Sequence, residues 1–171
     1  MKPLLRLRTN FIVVHCSASP PTSDLSASAI RAIHVNERKF SDIGYHYVIR
    51  RNGDLEAGRP ENQVGAHVQG FNNVSIGICL VGGINARGAA ENNFTEEQFF
   101  SLHVLLEKLQ ERYPQASIVG HRDLSPDKDG DGVVEKHEWL KSCPCFDVAM
   151  FCRESGLNPF PVGRNDNKPV T

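Results

Sequence analysis

The residues that most restrict what this chain can become lie between Gly120 and Asp147, which read GHRDLSPDKDGDGVVEKHEWLKSCPCFD. Two metal chemistries are written into them. The imidazole of His121 and the thiols of Cys143 and Cys145 suit Zn²⁺, whereas the spaced carboxylates between them suit a hard cation, so two separate sites are expected. His121 follows Ala116-Ser117-Ile118-Val119, a short apolar run with β-branched residues that reads as a strand ending at Gly120. His15 follows Phe11-Ile12-Val13-Val14 in the same way. Both histidines therefore emerge at strand ends, where α/β sheets place their ligand sites, and three protein donors with one open position is the catalytic arrangement of zinc.

The carboxylates have an order of their own. Asp127, Asp129, Asp131, Gly132, Glu135 and Glu138 occupy positions 1, 3, 5, 6, 9 and 12 of the EF-hand loop pattern D-x-[DN]-x-[DN]-G-x5-E. Val133 would add its backbone carbonyl, and Glu138 would bind with both oxygens. Pro126 directly precedes the loop and forbids an ordinary incoming helix. An isolated EF-hand-like loop over residues 127–138 is therefore expected, holding a structural Ca²⁺ and fixing Trp139 to Cys143. This segment is net −3, which leaves the rest of the chain at +2, and a bound calcium would cancel most of the local excess.

The remaining sequence alternates strand and helix signals. Ser26 to Lys39 reads as a helix with Ile30, Ile33 and Glu37 on one spacing, Tyr45 to Arg50 alternates as a strand, and Asn52-Gly53 turns it back through Leu55 to Ala57. Ser75 to Val81 is a further strand. Thr95-Glu96-Glu97-Gln98 has capping-box form, and Phe99, Leu102, Leu105, Leu106 and Leu109 carry an apolar helical face as far as Tyr113-Pro114. The implied fold is α/β, a single mixed central β-sheet flanked by helices. A length of 171 residues is about one domain. Residues 1–157 are expected to form it, with a flexible tail over 158–171 rich in Pro, Asn and Asp.

Formal charge is −1 with a pI near 6.6, which gives no reason to expect nucleic acid or a membrane surface as partner. Cys16, Cys79, Cys143, Cys145 and Cys152 are an odd set without the spacing of a disulfide framework, which favours synthesis in a reducing compartment. Lys2, Arg6 and Arg8 precede an apolar core too short for a signal peptide, and no stretch approaches membrane-spanning length.

Several ordered motifs resemble the zinc-dependent N-acetylmuramoyl-L-alanine amidases, the family of the amidase-type phage lysozymes, related to the peptidoglycan recognition proteins. They are Val14-His15-Cys16-Ser17-Ala18, Gly44-Tyr45-His46-Tyr47, Glu56-Ala57-Gly58-Arg59, Val64-Gly65-Ala66-His67, Asn73 to Gly83, and Lys141-Ser142-Cys143-Pro144-Cys145-Phe146-Asp147. The resemblance implies zinc ligands His15, His121 and Cys143, with Cys145 the rival for the third place, and catalytic partners Tyr45 and Lys141. It also implies a substrate-cleft position for His67. Zinc would polarise a water and the scissile carbonyl, and a phenol or ammonium nearby would stabilise the oxyanion. If Lys141-Ser142-Cys143 is extended, Lys141 and Cys143 point the same way. Cytosolic recycling amidases of the wider family carry Asp at the third ligand position and Glu at the position of Cys79, so this chain follows the phage pattern. The acidic insert is a departure, since a phage amidase of this pattern has a much shorter loop there.

The implied function is that of a phage endolysin cutting the amide between N-acetylmuramic acid and L-alanine of peptidoglycan. A monomer is expected, held in the host cytoplasm until another factor releases it to the wall, and lacking a wall-binding domain it would suit thin peptidoglycan. Two rivals differ in kind. Non-catalytic muropeptide-binding relatives lose the cysteine ligand, which is present here. One lysozyme of the family also inhibits its phage RNA polymerase, but the amino terminus and the loop near the zinc differ in this chain. His34, His46, His103 and His137 read as structural, with His46 facing away from Tyr45, and Cys16 and Cys79 as small core residues.

Overall fold

The alternating segments assemble into one five-stranded sheet of order β3-β2-β4-β1-β5. The computed structural model describes residues 3–160, with β1 at Phe11–Cys16, β2 at Tyr47–Ile49, β3 at Leu55–Ala57, β4 at Ser75–Leu80 and β5 at Ser117–Gly120. β1 runs parallel to β4 and β5, β2 parallel to β4, and only β3 is antiparallel, returning from β2 through the Asn52-Gly53 turn, where Gly53 has φ 85°. Parallel strands are covered on both faces. Every residue of β1 and β4 is accordingly buried.

In β4 the period of two sorts side chains by size. Ile76, Ile78 and Leu80 pack against Leu102, Leu105, Leu106 and Leu109 of helix α2 (Glu96–Arg112) and against Val148 and Cys152 of helix α3 (Val148–Glu154). Ser75, Gly77 and Cys79 turn to the opposite face, where Cys79 meets Ala27 and Ile30 of helix α1 (Ala27–Asn36). On this second face the small residues of β4 are flanked by Phe11 and Val13 of β1 and Val48 of β2. Small side chains in its middle leave room for the site.

The helix signals hold with local differences. Thr95 forms the complete capping box with Gln98. α1 is capped by the Ser26 hydroxyl, which accepts from Ala29 N–H at 3.2 Å, and it ends at Asn36, short of the expected Lys39. Lys39 has φ 59°, a left-handed conformation that a helix cannot continue through. α3, started by the Asp147 side chain accepting from Met150 N–H, has no counterpart among the sequence signals, because its 7 residues are too few to establish a periodicity.

The tail boundary also moves. Pro159 is buried and its carbonyl accepts from Ile118 N–H at 2.8 Å. β5 is an edge strand whose outward N–H needs a partner, and the chain after α3 supplies it, so residues 158–160 belong to the folded body. The rest of the expected flexible tail, residues 161–171, lies outside the described residues. No helix among the described residues is long and apolar enough to cross a membrane.

Candidate active site

Strand register brings the two histidines together. Val14 of β1 lies opposite Gly120 of β5, so the next residues, His15 and His121, reach the same carboxyl edge of the sheet. His15 is still within β1, since pairing with β4 continues to Cys16 and Leu80, whereas His121 opens a 3₁₀ turn over His121–Leu124. Asp123 fixes that turn by accepting from Gly120 N–H at 2.7 Å. The third donor arrives from far along the chain. Arg122 N–H donates to the Cys143 carbonyl at 2.9 Å, and Cys143 Sγ accepts from Cys16 N–H at 3.2 Å.

Within this frame His15 Nδ1 lies 3.1 Å from His121 Nδ1 and 3.8 Å from Cys143 Sγ. All three donor atoms fall within 4.8 Å of one another. Bond lengths of ~2.05 Å to nitrogen and ~2.3 Å to sulfur put tetrahedral ligands about 3.3 Å apart for two nitrogens and about 3.6 Å apart for nitrogen and sulfur. The two separations from His15 Nδ1, 3.1 and 3.8 Å, thus lie close to the edges of a zinc-sized tetrahedron. His15 is fully enclosed while His121 and Cys143 are partly exposed, so the fourth corner faces outward.

Electrostatics suits the same task, because a metal-binding imidazole must be neutral. Burial, followed by the neighbouring His67, His121 and Lys141 charges, holds His15 well below the usual histidine range. Burial and then Lys141 push His121 down to about 4. Cys145, the rival third donor, is turned aside. Its thiol donates to the Gly83 carbonyl at 3.1 Å and lies 3.9 Å from Cys16 Sγ.

Tyr45 is brought to the site with its ring centroid 5.2 Å from that of His15. Regular strand pairing begins only at Tyr47, two residues later than expected, yet backbone bonds anchor this stretch: Arg59 N–H donates to the Tyr45 carbonyl at 2.8 Å and His46 N–H to Gly77 O at 2.9 Å. Burial, with the thiols of Cys79, Cys143 and Cys16, raises the Tyr45 hydroxyl well above its ordinary value and keeps it protonated. Lys141 is exposed, and its charge reaches both His15 and His121. Cys143 opens a turn, closed by Cys145 N–H donating to Ser142 O at 2.7 Å, while Lys141 lies just before it.

His67 is also gathered in and is partly exposed. It stands behind His15, with Nδ1 2.9 Å from His15 Nε2 and Nε2 3.3 Å from Ser75 Oγ, so protein atoms face both ring nitrogens. Among the remaining histidines, His34 Nδ1 accepts from Gly44 N–H at 2.9 Å. His46 accepts from Gly77 N–H through Nδ1 and approaches Gln63 O through Nε2, each at 2.9 Å. Arg122 carries no sequence signal of its role. Its guanidinium lies 4.1 Å over the Trp139 ring while its backbone binds the Cys143 carbonyl, and no sequence pattern announces such a stack.

In the acidic insert, oxygens of Asp127, Asp129 and Asp131 lie within 4.8 Å of one another, and Asp129, Glu135, His137 and Glu138 form a second such group. The loop is closed by its own side chains. Asp127 accepts from Gly130 and Gly132 N–H at 2.7 and 2.8 Å, Asp131 from Val133 N–H at 2.8 Å, and the buried Glu138 carboxylate from Lys128 and Glu135 N–H. No helix enters or leaves it.

Comparison with known proteins decides the family. The profile described as N-acetylmuramoyl-L-alanine amidase matches residues 5–143. The chain belongs to that family. It is 40% identical over 152 residues to the endolysin of Enterobacteria phage K11, covering 89% of this chain and 91% of the relative. With the endolysin of Klebsiella phage KP32 it shares 41% identity over 152 residues, again 89% of this chain and 91% of the relative. Among solved structures, the endolysin N-acetylmuramoyl-L-alanine amidase LysCS from Clostridium intestinale URNW superposes with a TM-score of 0.71 at 26% identity, over 92% of this chain and 90% of that one. The amidase profile ends on Cys143, and it spans His15, Tyr45, His67, His121 and Lys141 as well.

Proposed function

We propose that this amidase is a phage endolysin that cuts the lactyl–L-alanine amide of peptidoglycan at a Zn²⁺ held by His15, His121 and Cys143. The observation that carries the metal assignment is the spacing of the three donor atoms, 3.1 and 3.8 Å from His15 Nδ1, two of them on imidazoles that burial keeps neutral. Zinc bound there supplies a Lewis acid that polarises the amide carbonyl and lowers the pKa of a water. The protonated Tyr45 hydroxyl serves as a hydrogen-bond donor, which suits it to the oxygen that gains negative charge and unsuits it as a base. The Lys141 ammonium adds positive charge from the open side, where the substrate enters. His15, enclosed at the base, orients the site.

Peptidoglycan is the macromolecular partner in this reading, and the wall is where the protein acts after release from the host cytoplasm, as a monomer. The insert has its own part. Asp127, Asp129, Asp131, Val133, Glu135 and Glu138 would hold a Ca²⁺ that braces the segment leading to Lys141 and Cys143. Clustering of the Asp127, Asp129 and Asp131 oxygens supports a hard cation there.

The test is mass analysis of digested peptidoglycan together with metal content. Wild type should release stem peptides with a free L-alanine amino terminus and carry one zinc per chain, and chelation followed by zinc should abolish and then restore release. Undiminished cleavage by a zinc-free Cys143→Ala variant would sink the proposal. For the insert, calcium should raise the thermal midpoint of wild type and leave that of Asp127→Asn with Asp129→Asn unchanged; no shift in wild type removes the brace.

A further inference from the structure

Behind His15 runs a chain of hydrogen bonds that can point only one way. Ser75 Oγ donates to the Phe71 carbonyl at 2.8 Å, and the same oxygen lies 3.3 Å from His67 Nε2. A hydroxyl has one hydrogen, and a carbonyl can only accept. With that hydrogen spent on Phe71, Ser75 meets His67 as an acceptor, so His67 carries its proton on Nε2. The other nitrogen of a neutral imidazole is then a bare acceptor. That atom, Nδ1, lies 2.9 Å from His15 Nε2, which must therefore be the donor. A neutral His15 protonated on Nε2 has a bare Nδ1, and this is the nitrogen 3.1 Å from His121 Nδ1 and 3.8 Å from Cys143 Sγ.

We infer that the Phe71 carbonyl, Ser75 and His67 form a relay that sets the tautomer and ring orientation of His15, keeping its metal-binding lone pair pointed into the site. His67 and Ser75 are positioning residues that act through His15. The reading of the relay as serving a metal rests on the zinc assignment above; its direction does not.

The backbone has been shaped around this ring. A Cβ added at Gly65 would stand 2.5 Å from His67 Cδ2, and one added at Gly77 would stand 2.6 Å from His67 Cγ. Asn72 Oδ1 holds the same turn from below, accepting from His67 N–H at 2.7 Å and Val68 N–H at 2.9 Å. β4 therefore contributes twice on one face, a hydroxyl at Ser75 and a missing side chain at Gly77. His46, whose ring centroid is 5.6 Å from that of His67, provides the contrast. Its nitrogens face only backbone atoms, and its tautomer reaches no donor of the site.

Histidine ring tautomers are read directly by long-range ¹H–¹⁵N correlation on the full-length protein, as purified and again after zinc removal. Protons on Nε2 of both His67 and His15 are expected in each state. A His67 or His15 ring protonated on Nδ1 in the zinc-free protein would overturn the relay, and because no metal is needed for that reading, the outcome is independent of whether zinc binds. Zinc affinity by chelator competition then measures the consequence. Ser75→Ala should weaken binding about tenfold and His67→Ala about 10- to 100-fold. His67→Asn, whose Oδ1 can stand where Nδ1 stood as acceptor, should recover most of the loss. Affinities equal to wild type in both Ser75→Ala and His67→Ala would refute a positioning role, as would failure of His67→Asn to outperform His67→Ala.

Discussion

The histidine–cysteine cluster and the acidic insert are two ways of gathering donors. The first draws on residues 106 and 128 positions apart, His15 with His121 and His15 with Cys143, and exists only once the sheet has its register. The second lies within residues 127–138, in two groups that share Asp129, and is held by side chains bonding to N–H groups no more than ten residues away. In the first, His15 is enclosed and burial keeps both imidazoles neutral, while the carboxylates of the second are largely exposed. A long-range site inherits its geometry from the fold. A local one must close itself, and it can be altered without touching the core.

That contrast is most severely tested at Cys143 and Tyr45. Cys143→Ala should lower amide cleavage about 10³-fold or more and abolish zinc retention, whereas Asp129→Asn in the insert should leave zinc content at one per chain; a parallel loss in both variants, measured by metal analysis and digestion, would show the regions to be one unit. Next in size, Tyr45→Phe should cost about 10²- to 10³-fold in kcat with little change in KM, the signature of a donor used only as charge develops.

Acid should separate the two regions by window. Burial pushes His46 down to about 4 from an ordinary 6.5, so the unfolded chain binds the proton more readily. Its contribution is full above pH 6.5 and is lost as pH falls toward about 4, in all about 3 kcal/mol. Glu138 is held below the ordinary carboxyl value by the backbone N–H groups of Lys128 and Glu135, so its contribution persists above about 4.5 and fades only below. Chemical denaturation at successive pH values should show the earlier loss in wild type and its relief in His46→Gln. The smallest effect is expected from Glu138→Gln, which keeps the shape but offers one acceptor oxygen where the carboxylate offers two, so that either the Lys128 or the Glu135 N–H loses its bond: a fall in stability set by one part-buried donor left unpaired, with zinc affinity unchanged.

Legibility follows the same divide. The insert announces itself completely, since every demanded position falls at a fixed offset, and α2 does likewise through Thr95 and its leucines. His15 and His121 are visible as endings of β-branched runs, but their meeting requires the parallel pairing of β1 with β5. Motif alone places Lys141 and Cys143, while the turn over residues 142–145 that carries the thiol is hidden, because no glycine or asparagine marks its left-handed position, Cys145 with φ 76°. His67 stands out in the sequence as a residue of the site, but its contacts with His15 and Ser75 do not. Its partners, 52 residues away in His15 and eight in Ser75, are set by the pleat of β4, not by the Val-Gly-Ala-His stretch. Ser75 lies within the Asn73 to Gly83 motif, but nothing there singles out its hydroxyl.

The bond from Arg122 N–H to the Cys143 carbonyl also acts on the chain between those residues. It ties off the insert at the neck, so everything from Asp123 to Ser142 begins and ends at a fixed pair of anchor points. Lengthening such a closed excursion adds little entropic penalty, because the cost grows only with the logarithm of its size. The insert is in effect a replaceable cartridge. A graft confined to residues 127–138, leaving Asp123, Trp139 and Lys141 in place, would keep Cys143 in register, which makes this neck the natural place to splice in a sensor or a wall-targeting segment.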